Sequence, residues 1–360
     1  MDRVIMWFRQ DLRLADNPAL DFARQAEGVL PVFIWDPELP WGPQGAQRVW
    51  LHHSLLSLAE GLKDKGSRLI VRQGDTEKVL NEIIAEFKAD TVVWNRCYEP
   101  AVIERDKGIK ASLKTQGIEA QSFNGSLLFE PWQVKTLSGG PYKVFTPFWK
   151  NCLAQDRAFE MAPEPRELPA VATRYASEPL EDLGLLPAIP WHTEIEKFWQ
   201  VGEKAARDKL DAFAQQEMPD YHEQRNTPSV YGTSLLSPHL HFGELSPRQV
   251  WHAAQQHTAS EGRRVFLSEI GWREFAYHIM YHFPHTVEKS MDERFEAFPW
   301  KPEGGELARW QKGQTGYPIV DAGMRQLWET GWMHNRVRMI VASFLTKDLL
   351  LPWQSGAQWF

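Results

Sequence analysis

The first ~125 residues alternate strand and helix patterns, and this constrains the fold more than any other feature of the chain. Apolar runs at 4–8, 29–35, 68–71, 91–94 and 118–122 read as buried strands. Between them Leu51, Leu55, Leu58 and Leu62 repeat at helical spacing, as do Val79, Ile83, Ile84 and Phe87, with Asp75 placed to cap the second helix. Strand–helix alternation predicts a five-stranded parallel, Rossmann-like sheet with right-handed crossovers. No GxGxxG follows any strand, so the dinucleotide fingerprint is missing. Ligands of such sheets still gather at the C-terminal strand edge.

From about residue 125 to 190 the periodicity loosens. Pro163, Pro165, Pro169, Pro179, Pro187 and Pro190 exclude long helices there, which predicts a connection running over the surface. Helical periodicity then covers 194–216, 246–256, 261–282 and 321–350. The predicted organisation is an α/β domain over 1–125, an inter-domain connection over 126–192 and an all-α domain over 193–360.

A chain of 360 residues has room for two cores, and 43% hydrophobic with 24% charged residues fits a soluble globular protein. Two cysteines, Cys97 and Cys152, exclude a disulfide framework or a four-cysteine metal site, and a reducing cytoplasm is expected. The opening MDRVIMWFRQ lacks the layout of a signal peptide, no run is long enough to span a membrane, and a monomer is expected. The formal net charge of -7 argues against nucleic acid as a partner, although a local basic patch outweighs a net balance. Seventeen tryptophans hint at stacking or electron transfer beside ordinary core filling.

Four segments carry chemistry. In 7–20, WFRQDLRLADNPAL, a strand runs into Arg9, Asp11 and Arg13, and Asp16-Asn17-Pro18 opens a helix; surface ion pairs would hold such a loop. In 231–247, YGTSLLSPHLHFGELSP, the hydroxyls of Thr233, Ser234 and Ser237 stand at a helix start, which suits either an anion seat or simple capping. In 266–284, FLSEIGWREFAYHIMYHFP, Glu269, Trp272, Arg273 and Ala276 share one helical face. A carboxylate, an indole and a guanidinium in one patch suit a base pair pulled from a duplex: Trp272 to stack, Glu269 to hydrogen-bond the polar edge, Arg273 to hold phosphate. The plainer account is a local Glu269–Arg273 ion pair worth ~0.3–0.5 kcal/mol. In 316–353, the stretch 331–347 holds Arg336, Arg338 and Lys347 with no acid, a basic patch fit for a phosphate backbone. His334 and Asn335 offer hydrogen bonds there, and Ile340, Val341, Phe344 and Leu345 read as core.

Together these segments resemble the photolyase/cryptochrome family along all 360 residues, and within it the class I enzymes that repair cyclobutane pyrimidine dimers. The resemblance implies that 7–20 belongs to an antenna-binding domain and that Thr233, Ser234, Leu235, Leu236 and Ser237 hold the diphosphate of FAD. Tyr221, Phe266 and Trp332 would touch the flavin, and Asn335 would lie near the flavin N5 and tune its redox state. Arg225, Glu269, Trp272, Arg273, Asn335 and Arg336 would face DNA containing pyrimidine dimers. Glu269 would stabilise the dimer radical anion, Trp272 would pack on the lesion and Met339 would lie close to it. Trp300 and Trp353 match two members of an electron-transfer chain whose third member would lie beyond Phe360.

No side chain donates the high-energy electron that dimer opening needs, and in this family light-excited reduced FAD supplies it. Flipping a dimer out is easier than flipping normal bases, which gives part of the selectivity. The family continues past this C-terminus through a segment rich in Asp, Asn and Trp, so a shortened chain with low flavin retention is expected. Folate-using relatives carry a glutamate in the stretch equivalent to 95–106, where Ala101 or Val102 falls between Glu99 and Glu104. Methenyltetrahydrofolate is the expected antenna, with another chromophore or none left open. A cryptochrome light receptor would alter the lesion pocket, a (6-4) photoproduct enzyme would place histidine around 335–339, and a nucleotide-binding α/β protein without photochemistry would need all four matches to be coincidental.

Overall fold

The computed structural model describes every residue except Met1, Asp156, Ala170 and Ala172. The first part runs β1 (Arg3–Phe8), α1 (Pro18–Ala23), β2 (Gly28–Trp35), α2 (Ala46–Asp64), β3 (Ile70–Gln73), α3 (Thr76–Phe87), β4 (Thr91–Asn95), α4 (Pro100–Thr115) and β5 (Glu119–Phe123). All pairings are parallel, in the order β3-β2-β1-β4-β5. The helices follow: α5 (Phe145–Ala154), α6 (Thr193–Phe198), α7 (Glu203–Gln216), α8 (Tyr221–Gln224), α9 (Ser237–His241), α10 (Pro247–Gln255), α11 (Glu261–His282), α12 (Gly305–Gln311), α13 (Pro318–Thr330), α14 (Asn335–Ser343) and α15 (Trp353–Trp359). Among the described residues no helix is long and apolar enough to cross a membrane.

The two-residue period of a strand sorts its side chains between the two faces of the sheet. Val4, Met6 and Phe8 pack with Leu51, Leu55, Leu58 and Leu62 of α2, while Ile5 and Trp7 pack with Ile83, Ile84 and Phe87 of α3. The Asp75 cap is the one the sequence predicts, and within Asp16-Asn17-Pro18 it is Asn17 that caps α1. The Asp75 carboxylate accepts the Lys78 N–H at 2.9 Å, and the Asn17 amide oxygen accepts the Leu20 N–H at 3.1 Å. Observed strands lie within two residues of the predicted ones.

Three expectations need correction. The 194–216 pattern breaks between α6 and α7, where Gly202 takes φ +110, and the 321–350 pattern breaks at Gly331, φ +69, and ends in a π-helical turn at Phe344–Asp348. The connection is not merely superficial: it forms α5 and buries Leu128, Phe129, Phe148 and Trp149 with α7 and α11. Ile340 is exposed on α14 while Val341 and Leu345 are core.

The loop after β1 holds the sheet and the helices together. Asp11, Arg13 and Asp16 are fully buried, not surface charges. Arg13 donates to the carbonyls of Gly243 (2.8 Å) and Gly125 (2.6 Å), Arg248 Nε donates to Asp16 Oδ2 (2.9 Å), and the Leu12 N–H donates to the Phe242 carbonyl (3.1 Å). Gly243 is indispensable here, since a Cβ would stand 2.1 Å from the Gln10 carbonyl oxygen. The crevice outside β1 and β4, where strand order reverses and such sheets bind ligands, is therefore closed over by the segment that leads into α10.

Candidate functional site

The segment 231–247 continues from that junction and borders a cleft between the helices. Gly232 lets it pass α8 closely, because a Cβ would lie 2.4 Å from the Gln224 Cβ. Three residues on, Leu235 takes φ +53. A branched side chain in the left-handed region is strained and persists only where its surroundings enforce it. The strained turn sets Thr233, Ser234 and Ser237 on the wall of a cavity of about 580 Å³. Among the described residues none of these hydroxyls makes a hydrogen bond, so all are available to a ligand.

The opposite wall comes from the break between α13 and α14. Gly331 ends α13 in the left-handed conformation, and His334 caps α14 by accepting the Arg336 N–H on Nδ1 at 3.1 Å. Burial, then the nearby Arg336 and Arg225 guanidinium groups, hold the His334 imidazole below its ordinary pKa. The cap sets Asn335 in the first turn, and Trp332, Asn335 and Arg338 line the cavity. Neither the Asn335 amide nor the Trp332 indole N–H is hydrogen-bonded among the described residues.

Tyr221 and Arg225 of the α8 region and Glu269 of α11 complete the site. Burial pushes the Tyr221 phenol up to about 12, so it stays neutral, and its ring packs edge-on against Phe266 and Phe213. Arg225 Nη1 donates to Glu269 Oε1 at 2.5 Å, leaving Oε2 without a partner among the described residues. The cavity thus brings together Tyr221, Arg225, Thr233, Ser234, Leu235, Leu236, Ser237, Glu269, Trp332 and Asn335.

Other predicted residues lie elsewhere. Phe266 is buried beneath Tyr221 rather than on the cavity wall. Arg273 does not line the cavity: it donates to the Ser126 carbonyl at 2.6 Å and to the Leu240 carbonyl at 3.5 Å and stacks over Tyr277, and these partners hold it behind the wall. The local Glu269–Arg273 pair is consequently absent. Trp272 is half-exposed with one face stacked on Phe145, centroids 3.8 Å apart. Arg336 and Met339 occupy the neighbouring exposed stripe of α14, the Arg336 Nη1 donating to the Met339 Sδ at 3.5 Å. Trp300 borders a separate recess of about 270 Å³ that Ser290 also lines, and the Trp353 indole donates to Ser290 Oγ at 3.4 Å. Among the described residues no ring contact joins these two to each other or to Trp332. Glu99 precedes α4, and Glu104 is exposed and paired with Lys107.

Sequence reasoning missed several cavity residues. Trp50 from α2 and Trp199 after α6 meet edge-on at 5.2 Å, and both line the cavity. Beneath them the fully buried Glu244 accepts from the Trp50 indole at 3.0 Å and lies 2.5 Å from His239. His241 is pushed down to about 4 by burial and by Arg273, which keeps a neutral imidazole on the cavity wall. No periodicity signals these residues, because they converge from distant elements.

The donor set suits FAD. Free hydroxyls on a strained turn beside the start of α9 can receive a diphosphate, Arg338 and the paired Arg225 and Glu269 line the wall, and an indole with a free amide borders the remaining space. The comparisons agree. Residues 4–170 match the DNA photolyase family, and residues 266–360 match the FAD binding domain of DNA photolyase. The deoxyribodipyrimidine photo-lyase of Agrobacterium fabrum is 48% identical over 363 residues, covering 99% of this chain and 75% of that protein. Cryptochrome-2 of Arabidopsis thaliana is 40% identical, with 99% of this chain and 61% of that protein covered. The crystal structure of a bacterial class III photolyase from Agrobacterium tumefaciens superimposes with a TM-score of 0.97 at 47% identity, covering 100% of this chain and 76% of that one. This chain belongs to the photolyase/cryptochrome family.

Proposed function

We propose that this chain repairs cyclobutane pyrimidine dimers in DNA by a light-driven reaction that uses FAD. The observation that carries the reading is the convergence of Glu269, Trp332, Asn335 and the 233–237 hydroxyls on one cavity, with the half-buried Arg336 and the exposed Met339 on the same helix as Asn335. The 48% identity to a deoxyribodipyrimidine photo-lyase supports the same activity. Likeness to a class III photolyase favours that branch over the class I branch expected from the sequence.

Bound in the cavity, reduced FAD would supply the photoexcited electron that opens the dimer. The chain's own residues act around that event. Thr233, Ser234 and Ser237 would hold the diphosphate through their hydroxyls, which the strained Leu235 keeps in place. Glu269, with Oε1 held by Arg225, presents Oε2 to the N–H edge of a flipped base. Asn335 is assigned to the flavin ring, Arg336 to phosphate and Met339 to the lesion. Trp272 offers its one unstacked face. Trp300 and Trp353 are assigned to electron transfer toward the cavity. We assign 1–125 to the antenna-type α/β domain, 126–192 to the connection and 193–360 to the flavin domain.

A cryptochrome-type receptor is the competing reading, favoured by 40% identity to Cryptochrome-2. One assay divides them. The chain is reconstituted with FAD, reduced, mixed with an oligonucleotide holding one thymine dimer, and illuminated with blue light. Light-dependent loss of the dimer is expected; bound flavin with an undiminished dimer would overturn the repair reading in favour of the receptor.

A further inference from the structure

Two adjacent residues that follow α8 reach in opposite directions across the mouth of the cavity. Arg225 Nη1 donates to Glu269 Oε1 of α11 at 2.5 Å. Asn226 Oδ1 accepts both Nε (2.9 Å) and Nη2 (2.8 Å) of Arg336 on α14. The Asn226 amide is not free to turn over, because its Nδ2 donates to the His222 carbonyl at 3.1 Å, which directs the oxygen at Arg336. Backbone bonds fix the turn itself: Arg225 N–H to the Tyr221 carbonyl, Asn226 N–H to that of Glu223 and Thr227 N–H to that of Gln224. Among the described residues no side-chain hydrogen bond joins α11 to α14 directly. The 225–226 step is thus the polar link between the helix that carries Glu269 and the helix that carries Asn335, Arg336 and Met339.

From this geometry we propose that Asn226 is a positioning residue for damaged DNA. Together with Arg225 it forms a two-armed strut that orders Arg336 and Glu269 before the duplex arrives. The proposal rests on the repair reading above. Arginine carries much side-chain entropy, and ordering it in advance removes part of the cost of binding. With both donors of one fork edge on Asn226, Nη1 is left toward Met339, on the exposed stripe that would meet the lesion strand. Asn226 itself is neutral and exposed, so it adds no charge to the contact and little to folding.

The test uses the full chain with FAD, kept dark, and measures fluorescence anisotropy of a dimer-containing and an intact oligonucleotide over a salt series. Asn226→Ala should weaken binding of the dimer oligonucleotide about five-fold, the scale of one side chain losing its preordering. The salt slope should stay that of the parent, since the Arg336 charge remains. Arg336→Ala should lower the slope by about one, and Asn226→Ala added to Arg336→Ala should cause no further loss. Asn226→Asp keeps an acceptor for Arg336 but cancels its charge, so it should lower the slope as well. If Asn226→Ala binds like the parent, or if the two alanine losses simply add, the strut is wrong while the repair reading stands. A parent that does not distinguish damaged from intact DNA overturns both.

Discussion

Leu235 is the residue whose conformation says most about the site. Its φ of +53 costs on the order of 1–2 kcal/mol relative to the ordinary regions. Nothing in the amino-acid type suggests it, since leucine has no preference for that region. The neighbours enforce it: Gly232 is pressed on α8 before it, and α9 begins after it. Leu235→Gly should therefore keep FAD affinity within about two-fold, because glycine adopts the same backbone without strain. Leu235→Val should lower FAD affinity about ten-fold, since a β-branched residue resists positive φ and would pull the hydroxyls out of line. Flavin fluorescence titration reads both; equal losses in the two variants would show that the turn is not what holds the diphosphate. For Glu269, Glu269→Ala should cut repair of a bound dimer about ten- to hundred-fold, the range for losing a hydrogen bond to a charged group, while FAD stays bound. Loss of flavin from that variant would mean that the carboxylate serves the cofactor and not the lesion.

At the scale of elements, α11 shows what a sequence reveals and what it hides. Its length and its buried stripe follow from periodicity, as do the sheet and α2 and α3, while its Ser260 cap is seen in the structure. The destinations of its polar side chains do not. Glu269 and Arg273 sit one turn apart, yet one reaches Arg225 and the other Ser126, because each answers to a partner more than forty residues away. Glu274 is another such case. Its Oε2 accepts the Leu128 and Phe129 N–H groups at 2.9 and 3.0 Å, anchoring α11 to the connection that sequence alone placed on the surface. Burial outweighs these bonds and the nearby Arg273, lifting the carboxyl from 4.5 to about 7. A native pKa above the unfolded one means that the folded state keeps a proton the unfolded chain gives up. The resulting stabilisation is full below about 4.5 and is lost as pH climbs through about 7. Glu274→Gln removes this term while preserving an oxygen for the two N–H groups. Between pH 5 and 8 the melting temperature of the parent should fall relative to that of Glu274→Gln by a few degrees; parallel curves would show that Glu274 is ionised throughout. His241 works in the opposite sense. Its pKa, lowered from 6.5 to about 4, gives stability that is present above 6.5 and lost as pH falls through 4.

For the whole molecule, the joint between sheet and helices decides whether the site exists at all. The alternating pattern at the front and the helical pattern at the back are legible in the sequence, but their docking is not, since Asp16 and Arg248 are 232 positions apart. Both are buried, and a buried carboxylate that loses its cation keeps its desolvation penalty without the compensating attraction. Asp16 also receives Ser246 Oγ and the Ala162 N–H, so the loop after β1, the connection and the start of α10 meet on one carboxylate. Arg248→Ala should destabilise the chain by about 3–5 kcal/mol, the typical result of breaking one partner from a buried pair. The loss should appear as decoupling. Calorimetry of the parent should give one transition, and Arg248→Ala should give two, the helical part melting first because segment 231–247 has lost its anchor on the sheet. FAD affinity should fall in the same variant even though Arg248 does not line the cavity. Asp16→Asn combined with Arg248→Met removes both charges together and should recover most of the melting temperature. A single transition in Arg248→Ala, displaced by less than about 2 °C, would mean that the apolar contacts around Leu12 and Phe242 hold the two parts together without the ion pair.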